Sequence, residues 1–212
     1  MRWLRNVMRV VCAVSLVVFI SGCEDGGGGS GDGDIGGNNP NVVVCLGDSI
    51  TEGAPGGGAP FPARLVGLTG KAVINEGRGG EKSGGGARVR SVLRSRKPAA
   101  MTILFGANDL IQGESMEGTI ANLSSIISAC RENKTKPVLA TLTPMVAGHE
   151  LWAGGVVMLN AQIRALASAE GVHLVDLERE FGSEPGMLLT DDGLHPSDLG
   201  NQVIAGAFAG AL

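Results

Sequence analysis

From Val42 to Val175, short apolar runs alternate with segments of helical period, and that alternation leaves few folds open. The runs are Val42-Val43-Val44-Cys45-Leu46, Lys71 to Asn75, Ala99 to Phe105, Lys136 to Leu142 and Val172 to Val175. Each is short, and most are apolar along their length, as expected of strands covered on both faces. Between them lie Ala59 to Leu68, Ala87 to Arg96, Glu114 to Asn133 and Ala153 to Glu170, and Ser197 to Leu212 closes the chain. In the third segment Ile120, Leu123, Ile126, Ile127 and Cys130 fall on one helical face; in the fourth Val156, Leu159, Ile163, Leu166 and Ala167 do so. Pro60 and Pro62 fall in the first turn of the first helix, where proline is tolerated. Strands that alternate with helices predict an α/β fold: a three-layer α/β/α sandwich with a five-stranded, mostly parallel sheet.

The folded domain is expected over residues 41–212, long enough to bury its own core. Aromatic residues make up only 3% of the chain and Tyr is absent, so that core must be built from Val, Leu, Ile and Ala. The formal net charge of −4 argues against a general nucleic-acid binder. Residues 23–40 are rich in Gly with Asp and Asn, a composition unable to bury apolar surface, and are expected to form a flexible linker.

Residues 1–22 have the make-up of an export signal. Arg2, Arg5 and Arg9 precede the apolar run Val10 to Ile20, which is too short for a comfortable membrane span. Ile20-Ser21-Gly22-Cys23 resembles the lipobox of bacterial lipoproteins. That resemblance implies cleavage before Cys23, a lipid on its thiol and attachment to the membrane. Glu24 after it points to the outer membrane. Loss of the three arginines takes the formal charge from −4 to about −7. Cys45 and Cys130 then remain, and two buried free thiols are the expectation, although an exported compartment permits a disulfide.

Strand ends in an open α/β sheet are where ligands bind. After the first strand comes Gly47-Asp48-Ser49-Ile50-Thr51, where Ser49 is either a nucleophile or a helix cap. After the second comes Asn75-Glu76-Gly77-Arg78-Gly79-Gly80-Glu81, whose glycines let the backbone approach a ligand. It matches neither Gly-x-Gly-x-x-Gly, since Lys82 takes the third glycine's place, nor a phosphate-binding P-loop. After the third, Gly106-Ala107-Asn108-Asp109 offers a side-chain amide. Such a donor at an oxyanion is worth about 3–4 kcal/mol; the same residue type also holds ordinary turns. Near the end, Asp192-Gly193-Leu194-His195-Pro196 sets an Asp three residues before a His, close enough to fold back on the ring and hold its tautomer. His173 falls in a strand, and His149 lies near the expected rim of the site; both read as structural.

These four blocks, in this order and with this placement, resemble those of the SGNH hydrolases, the GDSL esterase/lipase family. The resemblance extends over the folded domain. It implies a serine esterase that works through an acyl-enzyme on a small ester or lipid substrate, without cofactor or metal. Carried over by position, Ser49 is the nucleophile, His195 the base and Asp192 its orienting acid. The oxyanion hole is the N–H of Ser49, the N–H of Gly80 and the amide of Asn108. Asp48 and Asp109 match positions read as structural. The same triad would serve an acyltransferase, and a non-catalytic lipid- or glycan-binding lipoprotein or a structural envelope protein are the alternatives outside enzymology.

Two further stretches carry two readings each. Arg88, Arg90, Arg94, Arg96 and Lys97 form a basic run, read first as a solvated helix face and second as a surface for anionic lipid headgroups. The loop Thr143 to Gly155, with Met145, Leu151 and Trp152, is either an apolar rim for an acyl chain or a packed cover.

Overall fold

A computed structural model describes residues 34–212; the expected leader, Cys23 and most of the expected linker lie outside the described residues. Five strands form one sheet: β1 (Asn39–Gly47), β2 (Ala72–Gly77), β3 (Pro98–Leu104), β4 (Lys136–Ala140) and β5 (His173–Val175). Their order is β2-β1-β3-β4-β5, and every neighbouring pair is parallel. The sheet expected to be mostly parallel is therefore wholly so. Strand β1 starts at Asn39, slightly earlier than the expected domain boundary.

The helices are α1 (Ser49–Glu52), α2 (Phe61–Thr69), α3 (Val89–Arg96), α4 (Ala107–Ile111), α5 (Met116–Glu132), α6 (Ala153–Glu170), α7 (Leu177–Phe181) and α8 (Asp198–Ala209). Crossovers between parallel strands are right-handed. The step from β1 to β2 runs one way along the sheet, and the steps from β2 to β3, β4 and β5 run the other way. Helix α2 is thus placed on one face and α3, α5 and α6 on the other. The packing agrees: α2 lies against α8, while α5 lies between α3 and α6. Chain direction reverses beside β1, so the crevice outside the carboxyl ends of β1 and β3 is the topological switch point where such sheets bind ligands.

One expected helix is divided. A 3₁₀ turn, Ser83–Arg88, precedes α3 where a helix from Ala87 was expected. Its Gly86 packs so close to α5 that a Cβ there would lie 2.3 Å from Ile126 Cδ1. Backbone contact with α5 has displaced regular helix at this point.

The core runs from Val43 to Ala211 and is dominated by aliphatic side chains of β1, β3 and β4. Between α2 and α8, Phe61 and Phe208 stack with ring centroids 5.2 Å apart. Cys45 and Cys130 are free and buried, and burial pushes both thiols up to about 12. Two buried amides anchor loops at the sheet's carboxyl edge. Asn160 of α6 accepts from Leu142 N at 2.8 Å and donates to Leu142 O at 3.1 Å. Asn201 of α8 accepts from Phe61 N at 3.0 Å and donates to Gly57 O at 3.0 Å. No helix among the described residues is long and apolar enough to cross a membrane.

Candidate active site

Ser49 is the first residue of α1, directly after the buried end of β1. The turn into that helix is tight. A Cβ on Gly47 would sit 2.1 Å from Thr51 Oγ1 and 2.6 Å from Leu104 O, so only glycine fits. Asp48 caps α1 by accepting from Ile50 N at 3.0 Å. Both meanings of a Ser after a strand are thus divided between neighbours: the cap falls to Asp48, and the Ser49 hydroxyl stays free for another partner.

That partner comes from the far end of the chain. Ser49 Oγ lies 2.9 Å from His195 Nε2, across 146 residues of sequence. The other ring nitrogen, Nδ1, lies 2.6 Å from Asp192 Oδ2. Asp192 Oδ1 accepts from Leu194 N and His195 N, both at 2.9 Å, and from Thr190 Oγ1 at 2.8 Å. Partial burial opposes ionisation of Asp192. The hydrogen bonds from the His195 ring, from the two backbone N–H groups and from Thr190 outweigh it and hold the carboxyl well below the usual carboxylate range. The loop that carries this pair folds on a turn, with Gly193 N donating to Thr190 O at 2.9 Å, and its base is closed by Thr190 N to His195 O at 2.8 Å. Ser197 then caps α8, accepting from Gly200 N at 3.2 Å, as its place after Pro196 suggests.

Gly80 and Asn108 arrive at the same edge. Residues 78–81 form a turn closed by Glu81 N to Arg78 O at 3.1 Å. Gly80 is its third residue at φ +73°, the value a type II turn demands of a glycine there. The Gly79 N–H is taken by Glu52 Oε2 at 2.7 Å, whereas the Gly80 N–H meets no acceptor among the described residues. Gln112 Nε2 donates to Gly80 O at 3.2 Å and steadies the same turn. Asn108, in α4, donates from Nδ2 to Glu81 O at 3.2 Å and to Asp48 Oδ2 at 3.3 Å. Its amide therefore spans the residue before Ser49 and the residue after Gly80. Asp109 is buried and accepts from Ser83 N at 2.9 Å and Thr119 Oγ1 at 3.1 Å, which fastens the 3₁₀ turn and α5 to α4.

Several contributors carry no signal in spacing or composition. Arg88, at the head of the basic run, turns inward to pair with Glu76 at 3.1 Å and Glu81 at 2.8 Å, and so braces the Gly80 turn. This corrects the solvated-face reading for that residue. Arg90 and Arg96 fit it better, half-exposed and paired with Glu132 and Glu76. In the β4–α6 loop Met145 is buried, Trp152 packs against the core and Leu151 is 85% exposed, so cover and rim are shared between neighbouring residues. His173 is exposed at the start of β5. Among the described residues no three His, Cys, Asp or Glu side chains gather as metal ligands.

A wholly parallel sheet with a serine on a tight turn at its switch point, and a His–Asp pair brought to that serine, places the chain in the α/β class. Residues 45–203 match the GDSL-like Lipase/Acylhydrolase family, and the chain belongs to that family. Solved structures similar to it include a GDSL-like lipase from Bacteroides thetaiotaomicron, with 25% identity, TM-score 0.69 and coverage of 81% of this chain and 87% of that one. A lipase/acylhydrolase from Enterococcus faecalis also has 25% identity and TM-score 0.69, covering 80% and 93%. A variant of an acetyl-xylooligosaccharide esterase from Geobacillus shares the fold at TM-score 0.67 and 20% identity, covering 81% and 93%. A stretch of 105 residues is 30% identical to part of an N-acylneuraminate cytidylyltransferase from Streptococcus agalactiae. That stretch is 48% of this chain and 25% of the relative, so the match spans about a quarter of the curated protein.

Proposed function

We propose that this chain is a serine esterase that hydrolyses carboxylic esters through an acyl-enzyme. The observation that carries the reading is the continuous line of contacts from Ser49 Oγ through His195 to Asp192, at 2.9 Å and 2.6 Å. His195 Nε2 takes the Ser49 proton as Oγ attacks the ester carbon, and the charge that develops on the imidazole faces an ionised Asp192. The carbonyl oxygen becomes an oxyanion, held by the N–H of Ser49, the free N–H of Gly80 and the Asn108 amide. Both Asn108 contacts are long, so the amide can share a hydrogen with the oxyanion at little cost. Collapse of the intermediate expels the alkoxide, which takes the proton from His195. Water, deprotonated by the same ring, then attacks the acyl-enzyme, and Ser49 leaves with its proton restored. The short folded domain leaves little material for a lid, which favours short or exposed acyl groups.

Hydrolysis of p-nitrophenyl esters from acetyl to palmitoyl tests this, with Ser49→Ala alongside. Turnover should fall by roughly 10³-fold or more in the variant, since only oxyanion binding and proximity remain. Retention of turnover in Ser49→Ala would refute the nucleophile, and product analysis with an added alcohol separates hydrolysis from acyl transfer. The arginine-rich leader and Ile20-Ser21-Gly22-Cys23 support a second part of the proposal: export, a lipid on Cys23 and residence in the cell envelope, at the outer membrane.

A further inference from the structure

The loop between β4 and α6 bears on the site through a residue for which the reaction above has no role. His149 Nδ1 lies 2.7 Å from the main-chain oxygen of Asp192. A carbonyl oxygen only accepts, so Nδ1 carries the hydrogen and the ring is the donor. The ring is placed by Trp152, with centroids 5.5 Å apart and planes tilted by 39°. Beside this bond Val146 N donates to Gly193 O at 2.9 Å.

These two bonds join the tip of the 190–195 loop to its neighbour. The bonds to the Asp192 carboxylate, from Thr190, Leu194 and His195, arise inside the loop itself. They shape the loop but give it no purchase on the rest of the molecule. The Val146 bond is backbone to backbone and is available to any residue; the His149 bond is made by a side chain and is specific. Asp192 needs such a hold, because its side chain is 44% exposed.

Backbone geometry on both sides is fitted to the contact. Ala147 lies at φ +30° and Gly148 at φ +91°, in a turn closed by His149 N to Val146 O at 2.9 Å. A non-glycine residue persists in that region only where its surroundings hold it there. On the facing loop a Cβ at Gly193 would come 2.0 Å from Val146 O, so the approach of the two loops requires glycine. The strained turn presents His149 to Asp192, and Gly193 admits it.

We propose that His149 is a positioning residue: it anchors the Asp192 peptide and so keeps the carboxylate in register with the imidazole of His195. The inference rests on the Ser49–His195–Asp192 reading and adds to it a side-chain tie from the β4–α6 loop. Asn is the conservative replacement, because its amide nitrogen stands the same number of bonds from Cα as Nδ1. In Gln the nitrogen is one bond further out, and Ala has no donor.

The test compares kcat and KM for p-nitrophenyl acetate in the full chain with His149→Ala, His149→Asn, His149→Gln and Ser49→Ala, with thermal melts and stoichiometric fluorophosphonate labelling of Ser49. His149→Ala should lose about 10-fold or more in kcat with KM within about 2-fold, since a small misplacement of an acid–base pair is costly to rate and neutral to binding. His149→Asn should stay within about 3-fold of the parent, and His149→Gln should follow Ala. A parental kcat in His149→Ala overturns the proposal, as does an Asn variant no better than Ala. So does a loss in His149→Ala that is matched by a lower labelled fraction or a lower melting point. Turnover surviving Ser49→Ala would sink the triad itself, whereas an inactive Ser49→Ala beside a fully active His149→Ala sinks only the anchor.

Discussion

Two carboxylates near Ser49 have been placed in opposite environments. Asp192 is half-exposed, gathers four hydrogen bonds and is held ionised well below the usual range. Its native pKa is depressed, so its contribution to stability is present above the unfolded value of about 4 and is lost as pH falls below it. Asp48 is 1% exposed, and burial pushes its carboxyl up to about 7 against the Ile50 N–H, the nearby His195 ring and the Asn108 amide. Here the sign reverses. Between about pH 4 and pH 7 the native chain keeps a proton that the unfolded chain has lost, so stability falls as pH rises, by at most about 4 kcal/mol, and then levels. Denaturant midpoints at pH 4.5 and pH 8 should draw apart in the parent and come closer together in Asp48→Asn; the same pH dependence in both would contradict the assignment. In the sequence, Asp48 and Asp192 are alike as acids beside a reactive residue. The difference is one of burial and donors, neither of which a side-chain type carries with it.

Helices α2 and α8 form the layer that holds the Pro196 end of the loop carrying Asp192 and His195. Phe208 stacks on Phe61, and Asn201, seven residues earlier on α8, ties Phe61 N, Gly57 O and Pro196 O together. Phe208→Ala should cost about 3–5 kcal/mol, the range for deleting a buried aromatic, read as a lowered urea midpoint. A cost below about 1 kcal/mol would show that this layer is not packed as described. Elements of this size were legible in the sequence: α5 and α6 fall where their apolar stripes run, and α6 spans Ala153–Glu170 as the stripe predicts. Helices α1, α4 and α7, of four or five residues each, were not. One turn of helix is too short to display a period, and what makes these turns helical is a cap or a buried neighbour. The 3₁₀ segment at Ser83–Arg88 escaped for a related reason, since its shape is imposed by contact with α5.

At the scale of the whole molecule, the candidate site is the product of a strand order. Chain reversal beside β1 puts the turns after β1, β2 and β3 side by side, which is why residues as far apart as Ser49, Gly80 and Asn108 share one edge. The proposed anchor belongs to this scale as well. Metabolic labelling with palmitate should mark the full chain, and Cys23→Ser should abolish the label and release the protein from the membrane fraction; a labelled or membrane-bound Cys23→Ser would refute lipidation at that residue. By itself the sequence determined the layered α/β class, the strand and long-helix positions and the candidate residues at the strand ends, because periodicity, strand-end placement and four spaced blocks are local patterns. Only the tertiary structure decided that Gly80 rather than Gly79 has a free N–H, that Arg88 faces inward and that His149 reaches Asp192. Each of those depends on which groups meet across the fold, and a partner brought from 43 residues away leaves no trace in the spacing of either segment.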